Sequence, residues 1–283
     1  MTGDRRRDRR RGSSVLVVAR KHAFGPRYRP EERLSLVTED GVTLAGARLT
    51  GPPDAVATVV LAHGFVHSSR TPRIYAFAHL LARRVHVLIP DLRGHGSSGG
   101  LCTLGVEEPL DVAAAVDAAP PGLPVVTLGI SLGGAAVLLH AGVRDDAHRA
   151  IAGVVAISPP AWSGTWDTPG TKRVARYAGS PVGRQVLARL LHTRIAAQCQ
   201  AVPDARHLVA GIAPAFTLIV ADPADHYFAE EHSRALYEWA REPKDLWLLP
   251  GTGHGTDLLS PALADRLLRE LDERLSPDGG PAG

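Results

Sequence analysis

The 283 residues are 45% hydrophobic and 22% charged, the balance of a soluble globular chain with enough apolar side chains for a sizeable core. No run of eighteen apolar residues occurs, so no membrane span is expected. Two cysteines, Cys102 and Cys199, supply neither a disulfide framework nor zinc-ligand spacing, and no metal is expected.

The net charge of +3 suggests a nucleic-acid binder until the charge is located. Residues 1–30 hold ten basic side chains against Asp4 and Asp8, which leaves the other 253 residues at −5. A like-charge block of this kind reads as a solvated, disordered arm, and nucleic-acid binding is not expected of the body. Val15–Ala19 is too short for the apolar region of a signal peptide, and basic residues follow at once, so a cytoplasmic location is the expectation.

The first elements are strands over Arg33–Val37 and Val42–Arg48, joined through Asp40-Gly41, a strong hairpin signal. After Pro52 and Pro53, the apolar run Ala57–Leu61 reads as a strand buried on both faces. Strands and helices then alternate. Helices are expected over Ile74–Arg84, Val106–Ala118, Leu132–Ala141, Glu230–Ala240 and Leu258–Leu275. Strands are expected over Val85–Ile89, Val125–Gly129, Ile151–Ile157, Phe216–Val220 and Leu246–Leu249. This order implies an α/β protein with a mostly parallel sheet and helices on both faces. Residues 159–212 break the alternation with helical patterns over Gly170–Tyr177 and Gly183–Gln198. An excursion this long reads as a small cap over a site. The expected organisation is therefore a tail over 1–30, a core from 31–158 and 213–275, the cap at 159–212, and a flexible tail at 276–283.

Chemistry concentrates at Gly129-Ile130-Ser131-Leu132-Gly133-Gly134, set between an apolar strand and an apolar helix. A nucleophile elbow needs that context: the serine must project from a strained turn, and the glycines let strand and helix backbones approach. A serine hydroxyl also needs a general base and a group that holds the base's tautomer. Of 13 histidines, His254 in Gly253-His254-Gly255 follows the last expected strand, at the carboxyl edge where open α/β sheets place their sites. His95, His226 and His232 are rivals for the role. The turn after Ala57–Leu61, Ala62-His63-Gly64-Phe65, could bring the amide of Phe65 to meet that of Leu132 as an oxyanion hole. His63 is a candidate pocket residue, although bracing the loop fits it better.

These motifs, together with Asp91-Leu92-Arg93-Gly94-His95-Gly96-Ser97 and Asp225, make the chain resemble the α/β-hydrolase superfamily over about residues 33–275. The nearest likeness is to the short-capped monoacylglycerol-lipase-like and serine-aminopeptidase-like group. The resemblance implies an eight-stranded sheet, no cofactor, and Ser131, Asp225 and His254 as a triad in the order Ser…Asp…His. One departure stands out. Relatives end the acid strand in His-Gly-x-x-Asp, whereas Ala221-Asp222-Pro223-Ala224-Asp225 offers two acids. Asp225 holds the position the resembling families use, and Asp222 takes the place of a loop glycine.

The expected function is a serine hydrolase acting on a carboxylic ester or thioester of a small acyl substrate. The rivals are an acyltransferase, lyase or tailoring enzyme using the same triad, and a ligand-binding homologue without turnover. Residues 159–212 carry seven basic side chains against Asp167 and Asp204, which would suit an anionic or carrier-bound substrate, although a solvated face of amphipathic helices accounts for them more simply. Trp162 and Trp166 are candidates to line an apolar acyl pocket, and core packing accounts for them equally well. Oligomeric state is not legible in the sequence.

Overall fold

The computed structural model describes residues 32–143, 150–162, 168–197 and 202–275. The expected tails over 1–30 and 276–283 lie outside these residues, as does Trp166.

The chain opens with the hairpin β1 (Glu32–Val37) and β2 (Thr43–Leu49), followed by β3 (Thr58–Ala62), α1 (Pro72–Leu81), β4 (His86–Pro90) and α2 (Glu108–Asp117). β5 (Val125–Ile130) runs directly into α3 (Leu132–Gly142), and β6 (Gly153–Ile157) follows. Two helices of the excursion come next, α4 (Pro169–Ala178) and α5 (Pro181–Leu191), then the short α6 (Ala205–Leu208) with a 3₁₀ turn, Val209–Ile212. The chain closes with β7 (Phe216–Ala221), α7 (Glu230–Trp239), β8 (Lys244–Leu248), a second 3₁₀ turn at Gly255–Asp257 and α8 (Pro261–Leu275).

Eight strands form one sheet in the order β1-β2-β4-β3-β5-β6-β7-β8, antiparallel at β1–β2 and β2–β4 and parallel elsewhere. The central strands β3, β5, β6 and β7 are buried along their whole length, as their continuous apolar runs require. One face buries Phe77, Leu81, Leu263 and Leu267 from α1 and α8, and the other buries Val112, Val116, Val137 and Leu236 from α2, α3 and α7. Strand order reverses between β3 and β5, so the loops after these two strands diverge around a crevice at their carboxyl ends. Among the described residues no helix is long and apolar enough to cross a membrane.

Two helix boundaries differ from expectation, one through a tertiary contact and one through local capping. The helix expected over Gly183–Gln198 stops at Leu191, where His192 turns left-handed with φ of 50°. Beyond it, Arg194 donates its N–H to the Gly94 carbonyl (2.7 Å) and accepts from Cys102 N–H (2.8 Å), so the strap 193–196 pairs with the loop after β4 instead of continuing a helix. Helix α8 starts at Pro261 and not at Leu258, because proline suits the first helical position and Ser260 Oγ accepts the Leu263 N–H (3.2 Å). At the C-terminal end of the segment expected as a cap, Ala205, Val209 and Ile212 are buried in the cluster that includes α3.

Candidate active site

Ser131 follows β5 at φ 53°, ψ −112°, a conformation that turns the chain sharply into α3. Close approach requires the flanking glycines. A Cβ on Gly129 would lie 2.2 Å from the Gly133 carbonyl oxygen, and one on Gly133 would lie 2.2 Å from that of Ala62. The turn is anchored by the Ser131 N–H, which donates to the Ile157 carbonyl on β6 (2.8 Å).

The structure brings Ser131, His254 and Asp225 into one relay. Ser131 Oγ lies 2.9 Å from His254 Nε2, and His254 Nδ1 lies 2.6 Å from Asp225 Oδ2. Asp225 is buried, and its other oxygen accepts the N–H groups of Tyr227 (2.7 Å) and Phe228 (3.2 Å). Fixed in this way, one carboxylate oxygen is left to hold the imidazole with Nδ1 protonated and Nε2 facing the hydroxyl.

The second acid, Asp222, does not touch the imidazole. Its Oδ1 accepts the Ala224 N–H (2.9 Å) and its Oδ2 accepts the Gly253 N–H (2.6 Å), with the Thr252 hydroxyl at 3.4 Å. Burial pushes this carboxyl up, but the N–H donors of Gly253, Ala224, Gly251 and Thr252 outweigh it and hold the group below the usual carboxylate range.

The loop after β3 adjoins the nucleophile. A Cβ on Gly64 would sit 3.2 Å from the Ile130 carbonyl oxygen and 3.5 Å from Ser131 Cβ. Phe65 follows it, and Leu132 opens α3, so the Leu132 N–H has no partner within its helix. Both side chains join an apolar cluster with Val66, Leu104, Leu187 and Ile195. His63, a candidate pocket residue, has no exposed surface: its Nδ1 contacts the Gly64 carbonyl (2.9 Å) and its Nε2 accepts the Leu92 N–H (3.0 Å). Burial, with the neighbouring His95, pushes its pKa down to about 3, which keeps the ring neutral.

The loop His63 leans on is itself braced. Asp91 accepts the Ser69 (2.6 Å) and Ser97 (3.1 Å) N–H groups, and the buried Arg93 guanidinium pairs with Asp111 (2.8 Å), Asp40 (2.8 Å) and Glu107 (2.7 Å).

Of the rival histidines, His226 lies beside His254, and the other two have partners of their own. His95 is fully buried with Nδ1 on the Arg93 carbonyl (3.0 Å), and His232 Nδ1 accepts the Ala161 N–H (3.1 Å). Trp162 stacks on the His232 ring (3.8 Å), and the Arg206 guanidinium lies over its ring (4.5 Å). Three rings do surround His254: Tyr227 at 4.4 Å, Phe228 at 5.5 Å and His226 at 6.1 Å. Tyr227 and Phe228 were not anticipated, although two aromatics two and three positions after Asp225 are a usable signal.

The alpha/beta hydrolase family model matches residues 59–279. The chain is similar to the uncharacterized protein YfhR of Escherichia coli (strain K12), at 29% identity over 243 residues, 82% of this chain and 76% of that protein. Among solved structures it is similar to the Pyrococcus furiosus esterase Pf2001 (TM-score 0.65, 22% identity, covering 86% of this chain and 92% of the other). A second is the alpha/beta hydrolase GrgF from Penicillium sp. sh18 (TM-score 0.66, 20% identity, 87% and 99%). At these identities the structural likeness speaks for the fold. The family match runs from β3 through the last helix and takes in the elbow, the acid loop and the histidine loop together: the chain belongs to the alpha/beta hydrolase family.

Proposed function

We propose that the protein is a serine hydrolase that cleaves a carboxylic ester or thioester through an acyl-enzyme on Ser131. The observation that carries this reading is the continuous relay from Ser131 Oγ to His254 to Asp225 at the carboxyl edge of the sheet. His254 Nε2 takes the hydroxyl proton as Oγ bonds to the acyl carbon, and Asp225 stabilises the imidazolium that forms. The Phe65 and Leu132 N–H groups are the donors for the oxyanion of the tetrahedral intermediate. Its collapse breaks the bond to the leaving alcohol or thiol, which receives the proton from His254. Water, deprotonated by the same nitrogen, then releases the acid and regenerates Ser131. The cycle as written consumes only water and draws on no cofactor or metal.

The substrate we assign is a small acyl compound bearing an anionic group. Helix α4 supports this choice. Its first turn lies on Tyr227: Thr168 donates to the Tyr227 carbonyl (3.1 Å), and a Cβ on Gly170 would meet the ring at 2.7 Å. Arg173, one turn further along the same face, is half-buried, whereas Lys172 and Arg176 are exposed. Burial raises the Tyr227 hydroxyl pKa, and the Arg173 guanidinium opposes that rise. Arg173 has no carboxylate partner among the described residues, so it can take one from a substrate.

The test of the reaction is turnover of a p-nitrophenyl ester series by the wild type and Ser131→Ala. Activity that disappears in the variant while the melting temperature holds supports the reading; activity retained near the wild-type level refutes it.

A further inference from the structure

The loop that carries His254 has unusual backbone freedom. Gly251, Gly253 and Gly255 all adopt positive φ (77°, 98° and 56°), so three glycines in five residues surround the general base. Such a loop does not by itself hold an imidazole to the tolerance that proton transfer from Ser131 requires. Two side chains remove that freedom, one on each side of His254. On the N-terminal side, the buried Asp222 carboxylate accepts the Gly253 N–H (2.6 Å). On the C-terminal side, the buried Ser158 hydroxyl accepts the Gly255 N–H (3.1 Å).

Both anchors stand on the sheet. Ser158 follows β6 directly and donates its own N–H to the Val220 carbonyl of β7 (2.8 Å). Asp222 follows β7, and its carbonyl accepts the Asp225 N–H (3.1 Å), so the same residue ties the acid's loop to the base's loop. Ser158 also holds φ of 49°, a left-handed conformation costly for a residue with a Cβ. A glycine would occupy that position without strain, yet the position carries a hydroxyl that reaches the histidine loop.

We infer that Asp222 and Ser158 form a two-sided clamp that positions His254 for proton transfer, acting on the catalytic step through the backbone of residues 253 and 255. This rests on the serine-hydrolase reading above. Neither side chain contacts the reacting atoms; both are positioning residues. The clamp also accounts for an acid at position 222, where resembling sequences use glycine: a carboxylate can accept Gly253 and Ala224 N–H together, one on each oxygen.

The experiment compares Asp222→Asn, Ser158→Ala and Ser158→Gly with wild type, measuring kcat, KM and melting temperature on one neutral p-nitrophenyl ester. Asparagine keeps the shape of aspartate but has a single acceptor oxygen, so one of the two N–H groups is abandoned. Each variant should lose kcat by about 10-fold or more, with KM within about twofold, since a misplacement of about 1 Å in a catalytic group can cost 10² in rate. The two Ser158 variants separate positioning from stability. Both lose the hydroxyl and should be slowed alike, but glycine relieves the left-handed strain, so Ser158→Gly should melt higher than Ser158→Ala. A kcat that follows the missing hydroxyl while the melting temperature follows the strain supports the clamp. Wild-type kcat in either Asp222→Asn or Ser158→Gly overturns it. A wild-type protein that turns over no ester refutes the hydrolase reading itself, and is told apart because the clamp test presupposes an active wild type.

Discussion

At Ser131 a residue with a side chain sits at positive φ beside glycines that admit no Cβ, and the strain is tolerated because it aims a hydroxyl at His254. The two aspartates of the acid loop show how much a shift of three positions matters. Asp225 spends one oxygen on two backbone N–H groups and the other on the imidazole, whereas both oxygens of Asp222 are taken by the backbone. Asp225→Asn presents the imidazole with a group that no longer fixes its tautomer, and kcat should fall by about 10⁴, the size of that effect in other triads. Asp222→Asn should cost far less. Kinetics of the two variants side by side check the assignment; a dead Asp222→Asn beside an active Asp225→Asn contradicts it.

At the scale of elements, α4 bears on what the site accepts. Its first turn rests on Tyr227, whose ring lies tilted against that of His254, while Tyr177 further along joins the cluster of Phe65 and Leu132. One face of a single helix thus spans from the ring beside His254 to the proposed oxyanion donors, with Arg173 at its edge. Arg173→Gln should lower kcat/KM for a carboxylate-bearing ester by about 10-fold or more, the scale of a charge-assisted pair. Neutral esters of matched length should change by less than about twofold. Mono-p-nitrophenyl adipate against p-nitrophenyl hexanoate tests an acid-side group, and 4-acetoxybenzoate against its methyl ester tests an alcohol-side one. Equal losses on charged and neutral members in both pairs contradict the assignment.

Elements were legible in the sequence where their causes are local. The Asp40-Gly41 hairpin, the fully apolar central strands and the glycine-bounded elbow each carry their reason within a few residues. Where the cause is a partner far along the chain, the pattern misled or was silent. Helical periodicity ran past His192 because nothing local announces that 193–196 pairs with residues 94–102. The neighbours of Trp162, His232 and Arg206, lie about 45 to 70 positions along the chain and could not be read from its surroundings in the sequence. The roles of Asp222 and Ser158 were hidden for the same reason, since each acts on backbone N–H groups that leave no mark in the sequence.

For the whole molecule, the sheet edge that builds the site depends on buried, neutral histidines. Burial pushes His63 down from 6.5 to about 3 and lowers His95 as well, while both regain ordinary behaviour once unfolded. Between about pH 3 and 6.5 an unfolded His63 therefore binds a proton that the native ring does not, and His95 acts in the same direction. The stability His63 contributes is complete above that window and is lost as pH falls through it, by up to about 1.4 kcal/mol per pH unit. Burial acts the opposite way on the Asp91 and Asp111 carboxyls, raising Asp111 to about 7, so the check is made on the ring itself. The imidazole signals of His63 in an NMR titration of the folded protein should not move between pH 7 and pH 5, and a titration near pH 6.5 would contradict neutral burial.

The central claim is that Ser131 becomes covalently acylated with His254 as its base. Its most direct test is labelling with a fluorophosphonate, followed by intact-mass measurement and peptide mapping. The account predicts one phosphonyl group per chain on Ser131, no adduct on Ser131→Ala, and strongly slowed labelling of His254→Ala. Undiminished labelling of Ser131→Ala, or an adduct mapped to any other residue, would contradict it.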